Sequence, residues 1–474
     1  MEFIHDDFLL HSRAAQRLYH EYAEPEPVLD YHSHLSASDI ALNRQFQNLF
    51  EIWLEGDHYK WRLMRANGID ERYCTGKARP YEKFAAWTRT VPFTLRNPLY
   101  HWTHLELKRY FGINELLDES SAKSVWDRAN QLLQSPELSA RGIVKQFKVL
   151  VVCTSDDPCD DLSHHRAIAS SEGEFRVYPT FRPDGALAVD SPEPFRGWVA
   201  RLENSSNTDI RSFRAFLDAL KARHDYFHAE GARLSDHALI RCHATPCSES
   251  EAATIFEQIR GGNTISGVDR EKFRSFLMLY FGRLDAEKGW TKQLHLGALR
   301  DVNTRRFREL GPNTGFDTIG DDPQIPALCA YLDLLDRESA LPKVIVYNSN
   351  PADNYAFAAA VGSFQDGSLA GKVQFGSAWW FMDQKEGIEL QLNALSNTGL
   401  LTRFIGMTTD SRSFMSFPRH EYFRRVLCNR IGGETEKGEL PNDEKLLGEL
   451  IRNICFENAR KYLGLELPRS CPER

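Results

Sequence analysis

Two histidines one residue apart, His32 and His34, follow directly on the apolar run VLDY at residues 28–31. In an extended strand, residues two apart point to the same side, and two imidazoles on one side can grip a single divalent ion. With 16 His in 474 residues, chance supplies roughly 0.5 such patterns per chain. Spacing alone therefore leaves open a pair of partly buried polar histidines at a strand end, and it is their place after the first strand-like run that favours a metal. Near the other end of the chain, the last apolar run stops at Asp410-Ser411-Arg412. If the first and last strands are neighbours, Asp410 can meet His32 and His34 at one ion; as the opener of a polar turn, it can equally be a helix N-cap. Further polar groups end other apolar runs: Arg182, Asp236 and His237, His295, and Arg300 just beyond. Each alone suits a structural role, and for each Arg a surface ion pair is the commoner fate. Three guanidiniums gathered at one mouth, those of Arg182, Arg300 and Arg412, would suit an anionic substrate, because a guanidinium binds a carboxylate through two parallel hydrogen bonds. Trp379 and Trp380 read as wall or core rather than as a platform for a sugar.

The elements that must position these groups are eight short runs, rich in Val and Ile and closed by polar or small residues, at 28–35, 148–156, 176–184, 232–244, 292–301, 343–350, 372–378 and 404–413. They read as buried strands. Segments of helical periodicity lie between them, including 193–205, 209–229 and 271–281, and alternation of this kind implies a parallel sheet. Eight repeats predict a closed α/β barrel of the (β/α)8, TIM type, whose catalytic groups gather at the C-terminal ends of the strands. Such a barrel needs only about 250 residues, so the surplus must lie in insertions. Residues 36–147 form the largest, predicted as a mainly helical insertion near the barrel mouth, with helices in ALNRQFQNLFEIWL (41–54) and YHWTHLELKRYF (100–111). The barrel itself then takes 1–35 and 148–474, with closing helices after residue 418.

A net charge of −8 and a pI of about 6.1 provide no basic field for nucleic acid. The nine cysteines are scattered, with no CxxC pair, which suits reduced thiols in the cytoplasm. The first residues do not have the pattern of a signal peptide, and no stretch of about 18 apolar residues exists to span a membrane.

The blocks DYHSHL, HYKWRLMRANGI, FHAEGARLSDHAL, LHLGALRDVN, QFGSAWWFMDQ and GMTTDSRSFMSFPRHEYFRR resemble the uronate isomerase family, and the likeness runs from about residue 3 to about residue 465. That family belongs to the amidohydrolase superfamily and has a barrel fold with a helical insertion. The resemblance implies a carbohydrate-metabolising aldose–ketose isomerase that converts D-glucuronate to D-fructuronate and D-galacturonate to D-tagaturonate. Its partner is then a small uronic acid, and a homo-oligomer is the expectation by analogy with other large barrels. It further implies one divalent metal, usually Zn2+, at His32, His34 and Asp410. His58 and Tyr59 would reach in from the insertion, with Arg182, Asp236, His295, Arg300 and Arg412 as further site groups. Two positions depart from the usual pattern: Ser33 stands where Cys is customary, and Thr408 where a bulkier residue is. Ser33 is expected to point away from the ion.

On this resemblance, isomerisation moves a proton from C2 to C1 through a cis-enediol. The metal is expected to hold the substrate carboxylate and a neighbouring hydroxyl. Asp410 is expected to take part in proton abstraction and Tyr59 to shuttle a proton between O1 and O2. Arg412 and Arg182 would pair with carboxylate or hydroxyl oxygens, and His58 and His295 would orient the sugar. Two other readings are a binuclear metal-dependent hydrolase and a non-catalytic sugar-acid binder. The first would want a carboxylated Lys at a strand's C-terminal end, yet Lys148, Lys292, Lys343 and Lys372 all sit where strand runs start. The set of polar strand ends speaks against the second.

Overall fold

The computed structural model describes residues 2–171 and 173–468. Among the described residues nine strands occur in chain order: β1 (Val28–Asp30), β2 (Val149–Cys153), β3 (Arg176–Tyr178), β4 (Leu234–Leu239), β5 (Thr291–Leu296), β6 (Ala298–Leu299), β7 (Thr318–Ile319), β8 (Lys343–Asn348) and β9 (Val373–Phe375). β1, β2 and β3 pair in parallel, and so do β4, β5, β8 and β9 in that order. The two sheets are joined just past β3, where Phe181 bridges to Ser235 and to Asp156. β5 is buried along its whole length, as expected of a parallel strand covered on both faces.

The eighth position is filled by an extended run rather than a regular strand. The Asp410 amide donates to His32 O (3.1 Å) and the His34 amide to Ser411 O (3.0 Å), so the 404–411 run lies alongside the start of the chain. On its other side, the Gln374 side chain donates to Arg403 O (3.1 Å). The result is a barrel of the (β/α)8 type. β6 and β7 form a small antiparallel pair outside it, a feature the apolar pattern does not announce.

Helices such as Pro192–Ser206, Phe213–Ala229, Gly267–Lys288, Ile325–Arg337 and Lys385–Thr398 alternate with the strands. Their ends follow ordinary capping chemistry. Gly267–Lys288 begins at Ser266, whose side chain accepts from the Asp269 amide, and ends at Gly289 with φ 66°. The tail helix Pro418–Glu436 holds the start of β1 in place, because Arg424 donates to the carbonyls of Ala23, Glu26 and Pro27. It packs so closely on the helix Arg13–Arg17 that a Cβ on Gly432 would come within 2.3 Å of Ala15 N.

Between β1 and β2 the chain is helical, with Ala37–Ala41, His58–Ala66, Pro80–Thr90, Pro98–Phe111, Ala122–Leu132 and Ala140–Gln146. The predicted helix over 41–54 is broken. Asn43 enters the left-handed region (φ 51°), Gln45 bridges to Ser139, and a helical turn restarts only at Phe50–Leu54, where the Asn48 side chain accepts from the amides of Phe50 and Glu51. Trp53, Trp87 and Trp102 from this region share one continuous buried core with barrel residues such as Val152, Leu294 and Val346. Among the described residues, no helix is long and apolar enough to cross a membrane, and the eight described cysteines are all free.

Candidate active site

A cavity of about 350 Å³ opens at the C-terminal ends of the strands, a size suited to a small molecule. His34, Asp410, His58, Tyr59 and the guanidiniums of Arg182, Arg300, Arg412 and Arg419 line it, together with Trp379 and Trp380.

Asp410 is the focus. Its Oδ1 lies 3.1 Å from His32 Nε2 and 3.1 Å from His34 Nε2, while its Oδ2 accepts from Trp379 Nε1 at 2.7 Å. Burial alone would raise its pKa, but the two histidines hold the carboxyl well below the usual carboxylate range. The residue is left-handed (φ 44°), and the short helical turn that follows takes its cap from Ser413 instead. Asp410 thus serves the histidines rather than a helix end. Its loop is fixed from below by Asp30, whose carboxylate accepts from the Thr409 amide (2.8 Å) and hydroxyl (2.6 Å). Ser33, on the other side of the strand from His32, donates to Cys153 O (3.0 Å) and points away, as its spacing requires.

Behind the histidines stand Asp236 and His295. Asp236 is fully buried; its Oδ1 pairs with His295 Nδ1 at 2.7 Å and its Oδ2 with Arg182 Nη1 at 3.1 Å. It therefore acts on the cavity through its two partners. The His295 ring stacks on Tyr347 (centroids 4.2 Å) and lies 4.5 Å from the His32 ring. Its Nε2 and the Nδ1 of His32 are buried without a hydrogen-bond partner. One ligand atom each from His32, His295 and Asp410 lies within 4.8 Å of the others. Imidazole nitrogens and a carboxylate oxygen within such reach of one another are the donor set a divalent ion such as zinc takes, so the residues present fit a metal. His237, next along β4, faces the opposite way and pairs with Asp184 and Lys292 at 3.1 Å each.

Lys292 likewise lies behind the sheet, 2.7 Å from Asp285, and Lys343 donates to Tyr462 O. No lysine is among the described residues that line the cavity, which leaves a bridging carboxylated lysine without a candidate.

The arginines differ in how their charge is balanced. Arg182 pairs with Asp184 and Asp236, and Arg300 with Asp317 at 3.0 Å. Arg412 donates to a neutral amide, Asn313 Oδ1, at 3.2 Å. Burial, then Arg300 and Arg182 acting against Asp410, pull its pKa below the ordinary arginine value. Such a charge asks for an anion.

His58 and Tyr59 begin a helix capped by Asp57, which accepts from the Lys60 amide. The helix is seated on the loop after β6. Arg62 donates to Asp317 O (2.7 Å) and Arg65 to Thr314 O (2.6 Å), and Gly315 (φ 93°) passes so near that a Cβ would sit 3.0 Å from His58 O. Burial pushes His58 down to about 4, so the ring is neutral at pH 7. Trp380 Nε1 donates to its Nε2 at 3.2 Å, which assigns the ring proton to Nδ1. Tyr59 donates to Asp383 at 3.1 Å. Burial first, then Asp383, raises the phenol's pKa well above its ordinary value.

All the residues singled out in the sequence, His237 apart, therefore converge on this cavity or on the layer directly behind it. Three contributions went unread: the polar role of both tryptophan N–H groups, Asp383, and Arg419. The tryptophans follow a strand run, which is a usable signal. Asp383 lies eight residues past β9, and Arg419 is the second residue of the tail helix; neither ends a strand.

The family whose model matches the chain, over residues 1–463, is glucuronate isomerase. The uronate isomerase of Solibacter usitatus is 61% identical over 467 residues, covering 98% of this chain and all of that protein. That of Opitutus terrae is 59% identical, covering 99% of each. Among solved structures, the uronate isomerase of Thermotoga maritima superposes with a TM-score of 0.92 at 33% identity, covering 98% of this chain and all of that one.

Proposed function

The chain belongs to the uronate isomerase family, and from that premise we propose how its residues divide the work of an aldose–ketose isomerisation. The reaction converts D-glucuronate to D-fructuronate, and D-galacturonate to D-tagaturonate, through a cis-enediol. One observation carries the proposal: the Asp410 carboxyl group, held by two imidazoles, faces a cavity rimmed by four guanidiniums.

Arg412 and Arg182 clamp the carboxylate and hydroxyl oxygens of the sugar acid, with Arg300 beside them. Asp410 takes the proton from C2 and returns it to C1. Tyr59 supplies a proton to O1 and removes one from O2. Neutral His58, fixed by Trp380, and His295, fixed by Asp236, orient the sugar; Asp236 holds Arg182 in place as well. A divalent ion at His32, His34 and Asp410, with His295 also within reach of His32 and Asp410, and which we take to be Zn2+, would add an electrostatic anchor for the substrate's carboxylate and adjacent hydroxyl. We read residues 36–147 as an insertion that completes the cavity with His58 and Tyr59, and the enzyme as a cytoplasmic one that acts on a small molecule and assembles as a homo-oligomer.

Proton NMR of D-glucuronate incubated with the enzyme in D2O, with and without zinc, tests the reaction. Growth of fructuronate signals is expected, with deuterium at C1 wherever the transferred proton exchanges with solvent. Silence with glucuronate and galacturonate alike, in both conditions, rejects it. For the metal, zinc added to chelated protein is expected to raise Tm, because a ligand that binds only the fold stabilises it; an unchanged Tm rejects the site.

A further inference from the structure

Asp383 takes part in no role assigned so far. It is 6% exposed and stands behind Tyr59, away from the cavity that Tyr59 lines. The Tyr59 hydroxyl lies 3.1 Å from Asp383 Oδ2 and 3.3 Å from Oδ1. Arg419 Nη1 lies 3.4 Å from Oδ2 and donates to Thr409 O at 3.1 Å. The Arg419 guanidinium sits 4.4 Å from the Trp102 ring and 5.6 Å from that of Tyr59. Phenol, carboxyl and guanidinium thus form a closed buried cluster with one face, that of Tyr59 and Arg419, on the cavity.

The isomerisation makes a particular demand on a phenol. O1 must gain a proton when C2 loses its own, and O2 must give one up when C1 gains one. A phenol acting alone would be a phenolate in between, a form that burial strongly disfavours. A carboxyl against its oxygen removes that difficulty.

We propose that Asp383 is a positioning and proton-holding residue that acts through Tyr59. In the structure the Tyr59 hydroxyl points at the Asp383 carboxyl; with that carboxyl protonated and the hydroxyl turned to the sugar, the Tyr59 proton moves to O1 as the Asp383 proton moves to the Tyr59 oxygen. The cis-enediol then coexists with an Asp383 carboxylate, which Arg419 stabilises. When the enediol collapses to the ketose, the O2 proton passes to Tyr59 and the Tyr59 proton returns to Asp383. The two halves restore every proton to its start, and no outside acid is consumed. Burial, working against Arg419, raises the Asp383 carboxyl above its ordinary range, in the direction this cycle needs.

The inference rests on the shuttle assigned to Tyr59 above, and a double-mutant cycle separates the two. kcat and KM for D-glucuronate are measured for the wild type, Tyr59→Phe, Asp383→Asn and the double variant, with folding checked by thermal melting. Asp383→Asn is expected to lower kcat by about 10²-fold, the scale of general acid–base assistance, with KM within about threefold of wild type, since ground-state contacts to the sugar are untouched. The double variant is expected to be no slower than Tyr59→Phe, because residues that act as one unit are not additive. Asp383→Glu, which keeps the carboxyl, is expected to recover about tenfold of the loss. If Asp383→Asn does not fold, Asp383→Ser replaces it with the same expectations. A kcat for the Asp383 variant within about threefold of wild type overturns the proposal, as does a double-variant loss equal to the product of the single losses. Full activity in Tyr59→Phe would sink the shuttle itself; an impaired Tyr59→Phe beside an intact Asp383 variant sinks only the part given to Asp383.

Discussion

Two buried polar clusters, made from the same kinds of residue, lie back to back in this barrel. The one at the strand ends contains His32, His295, Asp236 and Asp410. The other, behind β4 and β5, contains Lys292, His237, Ser235, Asp285 and His224. Asp184 joins them, accepting from Arg182 at 3.0 Å on one side and meeting His237 at 3.1 Å on the other. The clusters differ in what they leave over. Lys292 Nζ meets Asp285 at 2.7 Å, His237 at 3.1 Å and Ser235 at 3.3 Å, and Asp285 also accepts from Ser235 (2.7 Å) and pairs with His224 (3.1 Å). There His224 Nδ1 is left over; at the strand ends His32 Nδ1 and His295 Nε2 are both left over, one layer behind the cavity that His34 and Asp410 line. Buried groups without partners cost stability, and where they gather directly behind a cavity they point to a ligand there. A network closed on itself behind the sheet marks architecture.

That contrast breaks most easily at Asp410. Asp410→Asn is expected to lower kcat about 10³-fold while urea denaturation moves by no more than about 1 kcal/mol. Lys292→Met should do the reverse. Removing one partner of a buried ion pair costs about 3–5 kcal/mol, read by urea denaturation, while kcat per folded molecule stays within about threefold of wild type. If the lysine variant lost activity and kept its stability, the two clusters would have been assigned the wrong way round. A smaller effect is expected at Arg412. Loss of a charge-assisted hydrogen bond is worth about 1.5–3 kcal/mol, so Arg412→Met should lower kcat/KM by about 10- to 100-fold, and unchanged steady-state kinetics would remove it from the anion clamp. The smallest effect concerns His58. Its folded pKa is held down at about 4, against about 6.5 in an unfolded chain. As pH falls through this window the unfolded state takes up the proton first, so the contribution to stability is complete above about pH 6.5 and is lost toward pH 4. His58→Asn should flatten the dependence of unfolding free energy on pH in that window by up to about one proton; an unchanged slope would mean that the ring is not buried neutral.

The barrel and the heart of the site were legible because both depend on local pattern. Short Val-rich runs ending in His, Asp or Arg mark strand ends, and period-two alternation separates Asp236, which faces His295, from His237, which faces Lys292. Elsewhere tertiary contacts overrode the local signal. The apolar spacing of 41–54 is helical, yet Asn43 turns left-handed and Gln45 pairs with Ser139. The 404–411 run reads as a strand and is extended, but it is held to the first strand partly through side chains, with Asp30 gripping Thr409. Asp383 and Arg419 reach the site from a loop and from a helix start, where neither periodicity nor a strand terminus flags them.

The grip of Asp30 on Thr409 spans 379 positions of sequence. The ribosome delivers the histidine pair long before the carboxylate they hold, which lies hundreds of residues further along the chain. Every nascent chain, and every fragment cut short of that point, carries the histidines with no Asp410 to complete the site. On the metal site proposed above, the ability to bind metal would thus be a late event in biosynthesis, and it would report that distant parts of the polypeptide have found each other.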